Sequence, residues 1–162
     1  MMIILRKSDK EISLHHDNLE GNAVAILVLI SGSNNSGKSI YAEQLIAKTI
    51  GKRYYIATMR PCTEDNHRRI KKHRAQRQGL GFDTIESPYQ VGNAPVSSDG
   101  VVLLEDVSNL LANAMFEKGG SSDSVFRDIC TLADPRRILV VVTIPGLKDD
   151  GYDAETVAYI NG

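Results

Sequence analysis

The stretch that most constrains this chain runs from Val24 to Ser39. An apolar run, Val24 to Ile30, leads directly into Gly32-Ser33-Asn34-Asn35-Ser36-Gly37-Lys38-Ser39, which fits G-x-x-x-x-G-K-[ST]. A buried strand that feeds a glycine-rich turn and then a helix makes backbone N–H groups converge on one point, where the helix dipole also favours negative charge. That point is a phosphate site. In this geometry Lys38 is expected to reach the β- and γ-phosphates of a nucleoside triphosphate, and the Ser39 hydroxyl to sit on Mg²⁺. Gly32 and Gly37 let the backbone approach a phosphate where a Cβ would collide. The competing reading is an ordinary polar turn, and the strand and helix readable on either side argue against it. Ala42, Leu45, Ile46, Thr49 and Ile50 repeat at the spacing of a core-facing helical stripe, and Gly51 stands where a helix would end.

With 162 residues the chain has the size of one domain and buries enough surface to fold without disulfides or a structural metal. Its formal charge of −1 gives no global field for nucleic acid or anionic lipid. Cys62 and Cys130 lie far apart with no metal-ligand spacing, which suits free thiols in a reducing compartment. The longest apolar run is far short of the ~20 residues that span a bilayer, and no signal sequence is expected at the start. A soluble, cytoplasmic protein is expected, with no membrane partner and no nucleic-acid partner.

Residues 1–22 read as an N-terminal extension, either a hairpin or a tail, with short strands suggested at Met2 to Leu5 and at Glu11 to His15. His15-His16 is expected to be a solvated pair, because neighbours on a strand point to opposite faces. Residues 23–162 read as one phosphate-binding domain. After the first strand and helix, Arg53 to Thr58 and Phe82 to Glu86 read as strands and Thr63 to Gln78 as a helix capped by Thr63. Val101 to Glu105 and Arg137 to Thr143 are nearly continuous apolar runs, the mark of buried parallel strands. Helices are expected at Asn109 to Phe116, at Val125 to Leu132 and at Asp153 to Ile160, with a flexible joint at Gly119 to Ser122. Strands alternating with helices imply an α/β fold: a P-loop NTPase-like, mainly parallel sheet with helices on both faces.

Two further parts complete the expected site. Glu105 ends a buried strand on the side where such sheets bind ligands, so it can hold Mg²⁺ opposite Ser39; Asp106 is the competing carboxylate. The helix from Thr63 carries six Lys/Arg between Asn66 and Gln78 and little apolar surface. On it Asn66, Arg69, His73 and Arg77 share one face, so His73 lies between two guanidiniums. Flanking cations depress a histidine pKa and stabilise charge on a phosphate under attack, which suits a nucleophilic imidazole. A solvated basic face or an RNA-binding patch is the other reading.

Taken in order, Gly32 to Ser39, Tyr55-Ile56-Ala57-Thr58, Arg69-Ile70-Lys71-Lys72-His73-Arg74 with Arg77, Thr84-x-Glu86-x-Pro88, and Leu103-Leu104-Glu105 with Asn109, Asn113 and Phe116 resemble the adenosylcobinamide kinase/adenosylcobinamide-phosphate guanylyltransferase family of cobalamin biosynthesis. The resemblance covers about Val24 to Phe116. It implies phosphorylation of the aminopropanol hydroxyl of adenosylcobinamide by ATP or GTP with Mg²⁺. It further implies GMP transfer from GTP to the resulting phosphate through a guanylyl-histidine, with His73 as the histidine. Lys38 and Glu105 are the expected catalytic companions of His73. The phosphate loop with Arg69, Arg77 and Glu86 is expected to bind nucleotide, and a homo-oligomer is implied. The sequence departs from the family at Ile144-Pro145, where an Asn-Glu pair is usual, and in its N-terminal addition. It also stops where a further helix and strand would follow, which would leave a sheet edge to be covered.

Overall fold

The computed structural model describes residues 2–6, 26–116 and 121–144. Six strands form one sheet: β1 (Met2–Arg6), β2 (Ile26–Ser31), β3 (Arg53–Ala57), β4 (Phe82–Glu86), β5 (Val101–Glu105) and β6 (Ile138–Thr143). Their order across the sheet is β1-β2-β6-β5-β3-β4, and every pairing is parallel. Among the described residues four helices connect them, α1 (Lys38–Ala47), α2 (Glu64–Arg77), α3 (Val107–Phe116) and α4 (Ser122–Leu132), with one 3₁₀ turn at Val91–Asn93. This is the α/β, P-loop NTPase-like architecture that the sequence pattern predicts.

The two faces of the sheet follow from strand alternation. Val28, Tyr55, Val101, Leu103 and Val140 point one way and pack with Ala42, Leu45 and Ile46 of α1. Tyr54, Ile56, Val102, Leu104 and Leu139 point the other way and pack with Leu110 and Ala114 of α3 and Val125 and Leu132 of α4. Because β5 and β6 are covered on both sides, their sequences are apolar throughout rather than alternating. All the strands are parallel, so their carboxyl ends share one rim, and the loops after β2, β3, β4 and β5 meet there.

Several expectations need correcting in detail. The stripe on α1 buries Ala42, Leu45, Ile46 and Thr49, but Ile50 is 99% exposed because the helix ends at Ala47 and the chain turns before Gly51, whose φ is +99°. α4 starts at Ser122, not Val125, since the Ser121 hydroxyl accepts from the Ser124 N–H and caps it; Ser121 and Ser122 thus belong to the helix start and not to a joint. The expected strand at Met2 to Leu5 is present, yet it pairs parallel with β2 at the sheet edge, Met2 opposite Ile26 and Arg6 opposite Ile30, so it joins the main sheet rather than standing apart. The expectations for Glu11 to His15, for His15-His16, for Gly119-Gly120, for Pro145 and for Asp153 to Ile160 fall outside the described residues.

Candidate active site

The loop between β2 and α1 is a turn closed on itself. The Ser36 N–H donates to the Ser33 carbonyl at 3.2 Å, and Gly32 is held to β6 by a 3.3 Å bond from its N–H to the Thr143 carbonyl. Gly37 caps α1 with φ +84°, a conformation that disfavours any side chain. A Cβ on Gly32 would stand 2.6 Å from the Ser36 hydroxyl oxygen, so a side chain there would push the Ser36 hydroxyl aside. Lys38 Nζ donates to the Ser33 carbonyl at 3.3 Å, which lays the ammonium across the loop.

A cleft of about 220 Å³ opens over this loop. It brings together Asn34, Asn35, Ser36, Gly37, Lys38 and Ser39 from the loop and Glu105 from the end of β5. From α2 and β4 it adds Arg69, His73, Arg77 and Glu86. Gly32 and Ser33 do not line it; they shape the loop from behind. The Ser39 hydroxyl donates to Glu105 Oε1 at 2.5 Å, spanning the end of the intervening strand β6. The other oxygen, Glu105 Oε2, is buried and has no hydrogen-bond partner. Burial pushes this carboxyl up to about 7, against the lowering effect of the Ser39 bond.

Asp106 also faces the cleft, but its Oδ1 accepts the Asn109 N–H at 2.7 Å and so caps α3. Of the two competing carboxylates, Glu105 is therefore the one turned toward Ser39. A serine hydroxyl and a carboxylate with a free buried oxygen are hard donors that fit Mg²⁺, which keeps waters and phosphate oxygens for its other positions. Among the described residues no cluster of three or more His, Cys, Asp and Glu forms a dedicated metal cage.

α2 forms the opposite wall. Thr63 caps it by accepting the Asn66 N–H at 3.1 Å, and Glu64 and Asp65 stand in its first turn. Burial lowers the His73 pKa, and Arg77, Arg69, Lys72 and Lys38 lower it further. Its Nδ1 is buried without a partner. Asn66, expected on the same face, instead donates to the Arg60 carbonyl at 2.9 Å and does not line the cleft. Glu86 is engaged by Arg74 in a 2.7 Å ion pair, both side chains largely exposed. Asn113 of α3 donates to the carbonyls of Thr58 and Pro88 at 2.9 and 3.0 Å, tying the loops after β3 and β4 together at the rim.

Sequence reasoning missed Tyr55, which lines the cleft beneath Arg77, and Glu43, buried behind it. A signal for Glu43 existed, since it falls on the apolar stripe of α1, one turn after Ser39 and one before Ile46.

The model for the cobinamide kinase / cobinamide phosphate guanyltransferase family (CobU) matches residues 28–144, which contain the loop, α2 and Glu105. The chain belongs to this family. The bifunctional adenosylcobalamin biosynthesis protein CobU of Escherichia coli (strain K12) is 33% identical over 101 residues, 60% of this chain and 55% of that protein. The protein of the same name from Salmonella typhimurium (strain LT2) is 30% identical over 101 residues, with the same coverage of each. The chain thus spans about half the length of the curated relatives it matches. No helix among the described residues is long and apolar enough to cross a membrane.

Proposed function

We propose that this chain phosphorylates adenosylcobinamide with a nucleoside triphosphate and transfers GMP from GTP to the phosphate it has made, by way of a guanylyl group on His73. The observation that carries the reading is one cleft joining a phosphate loop with the Ser39–Glu105 pair to an imidazole between Arg69 and Arg77. In the kinase half, the loop N–H groups and Lys38 hold the triphosphate, and the acceptor hydroxyl attacks the γ-phosphorus as the bond to the β-phosphate oxygen breaks. Mg²⁺ held by Ser39 and Glu105 would supply Lewis-acid neutralisation of the phosphate charge. In the transferase half, the depressed pKa keeps His73 neutral near pH 7, with a nitrogen lone pair free to attack the α-phosphorus. An N–P bond forms and pyrophosphate leaves; an oxygen of adenosylcobinamide phosphate then attacks the same phosphorus and releases His73. Arg69 and Arg77 offset the negative charge that builds on the phosphoryl oxygens. The same reading implies a homo-oligomer in the cytoplasm, where the exposed free thiols Cys62 and Cys130 stay reduced.

The basic helix speaks against an RNA patch, because Arg69, Lys72 and Arg77 face the cleft and Arg68 and Arg74 are paired with Asp65 and Glu86. A kinase with another acceptor gains support from the end of β6, where Ile144 offers no side-chain ligand and its N–H is engaged by the Ser108 hydroxyl. Incubation with Mg²⁺ and [α-³²P]GTP, followed by denaturation, tests the transferase half. Acid-labile, alkali-stable label is expected on the wild type and on no His73→Asn protein, and Lys38→Ala should lose both label and kinase turnover. Label that persists in His73→Asn rules the assignment out. Turnover with adenosylcobinamide separates the two kinase readings.

A further inference from the structure

Arg77 is an unusual residue for the last turn of a helix that is otherwise solvated. It is the one buried side chain of α2, 7% exposed, and its guanidinium carbon lies 3.5 Å over the Tyr55 ring. Tyr55 is itself buried on β3, one strand away from Glu105. Arg77 Nε is buried and has no hydrogen-bond partner. Two elements, β3 and α2, therefore meet at one guanidinium that also lines the cleft one helical turn from His73.

We propose that Tyr55 is a positioning residue for Arg77, its ring a platform that fixes the guanidinium beside His73 where it meets a phosphoryl oxygen of the bound nucleotide. This rests on the reading of His73 as the site's nucleophile. Without the platform, a long arginine side chain at a helix end would turn to water, where its charge is better solvated. The cleft would then lose its largest positive influence on the imidazole.

The test reads the imidazole itself. His73 faces Arg77, Arg69 and Lys72 from its own helix and Lys38 from the loop. In the full chain labelled at histidine, with the signal assigned by His73→Asn, NMR titration follows its pKa. Release of Arg77 raises that pKa, so Tyr55→Leu should move it up while Tyr55→Phe, which keeps the ring, leaves it in place. A downward shift or none in Tyr55→Leu overturns the proposal. Calorimetric GTP affinity should fall roughly tenfold or more in Tyr55→Leu, as for a lost charge-assisted contact to the nucleotide. It should fall no further when Tyr55→Leu is added to Arg77→Ala. Additive losses count against positioning. If Tyr55→Leu does not fold, Tyr55→Met, which also removes the ring, takes its place. Titrations that move as expected in a protein that never takes GMP label would sink the guanylyl reading alone; label with an unmoved titration would sink the positioning alone.

Discussion

His73 illustrates how a single residue's chemistry is set by neighbours on three sides. An imidazole with burial against it and four cations around it releases its proton more readily than a solvated one. Its nucleophilic form therefore persists below the ordinary histidine range of about 6.5. An NMR titration of the His73 imidazole should give a midpoint below 6.5, whereas GMP labelling would also follow Glu105, raised to about 7. Arg69→Ala, which removes one of those cations, should move the imidazole midpoint upward; titration of both proteins checks this, and a wild-type midpoint at 6.5 would contradict it. At this scale the sequence was partly legible. The spacing of Arg69, His73 and Arg77 placed all three on one wall, because helical periodicity is local. The choice between Glu105 and Asp106 was not legible, since it turns on which carboxylate caps α3, a matter of side-chain direction after a strand end. Glu43 was hidden because a glutamate on a helix is solvated far more often than buried.

At the scale of elements, the phosphate loop works by holding its backbone in a conformation that most residues refuse. Gly37 sits at φ +84° with nothing within 4 Å of where a Cβ would lie, so replacing it meets strain and no clash. Gly37→Ala should cost on the order of 1–2 kcal/mol of stability, the penalty of the left-handed region. It should weaken GTP binding as the loop relaxes away from the phosphate geometry. Urea unfolding and a binding titration on the same protein check both, and unchanged values in each would mean that the loop tolerates another shape. Loop, helix α2 and its Thr63 cap were all legible, because capping and glycine rules act over a few residues. Helix ends were less so: Ile50 continues the apolar spacing of α1, yet the chain has already turned out of the helix.

Strand order across the whole sheet was not legible from periodicity, which says that β2, β5 and β6 are buried but not which lie side by side. The parallel pairing of β1 with β2 is the clearest case, since a short strand followed by polar residues also suits a hairpin. The whole molecule also bears the cost of its site. Burial raises Glu43 to about 7 from 4.5, so the folded chain holds a proton there that the unfolded chain gives up. Between those values unfolding releases that proton, and stability contributed at Glu43 falls as pH rises, levelling off above about 7. His73 acts in the other direction. With its folded pKa lowered, the unfolded chain binds the extra proton, and stability rises with pH up to about 6.5. A His73→Asn background removes this opposing slope, and the slope from Glu105, also raised to about 7, is shared by parent and variant. In that background Glu43→Gln should gain stability relative to its parent between pH 4.5 and 7, by on the order of 2 kcal/mol. Above pH 7 the two curves should run parallel, any constant offset reflecting the lost attraction to Arg77. Urea unfolding from pH 4.5 to 8 supplies both curves. Parallel curves over the whole range would mean that Glu43 keeps an ordinary carboxyl pKa in the folded chain.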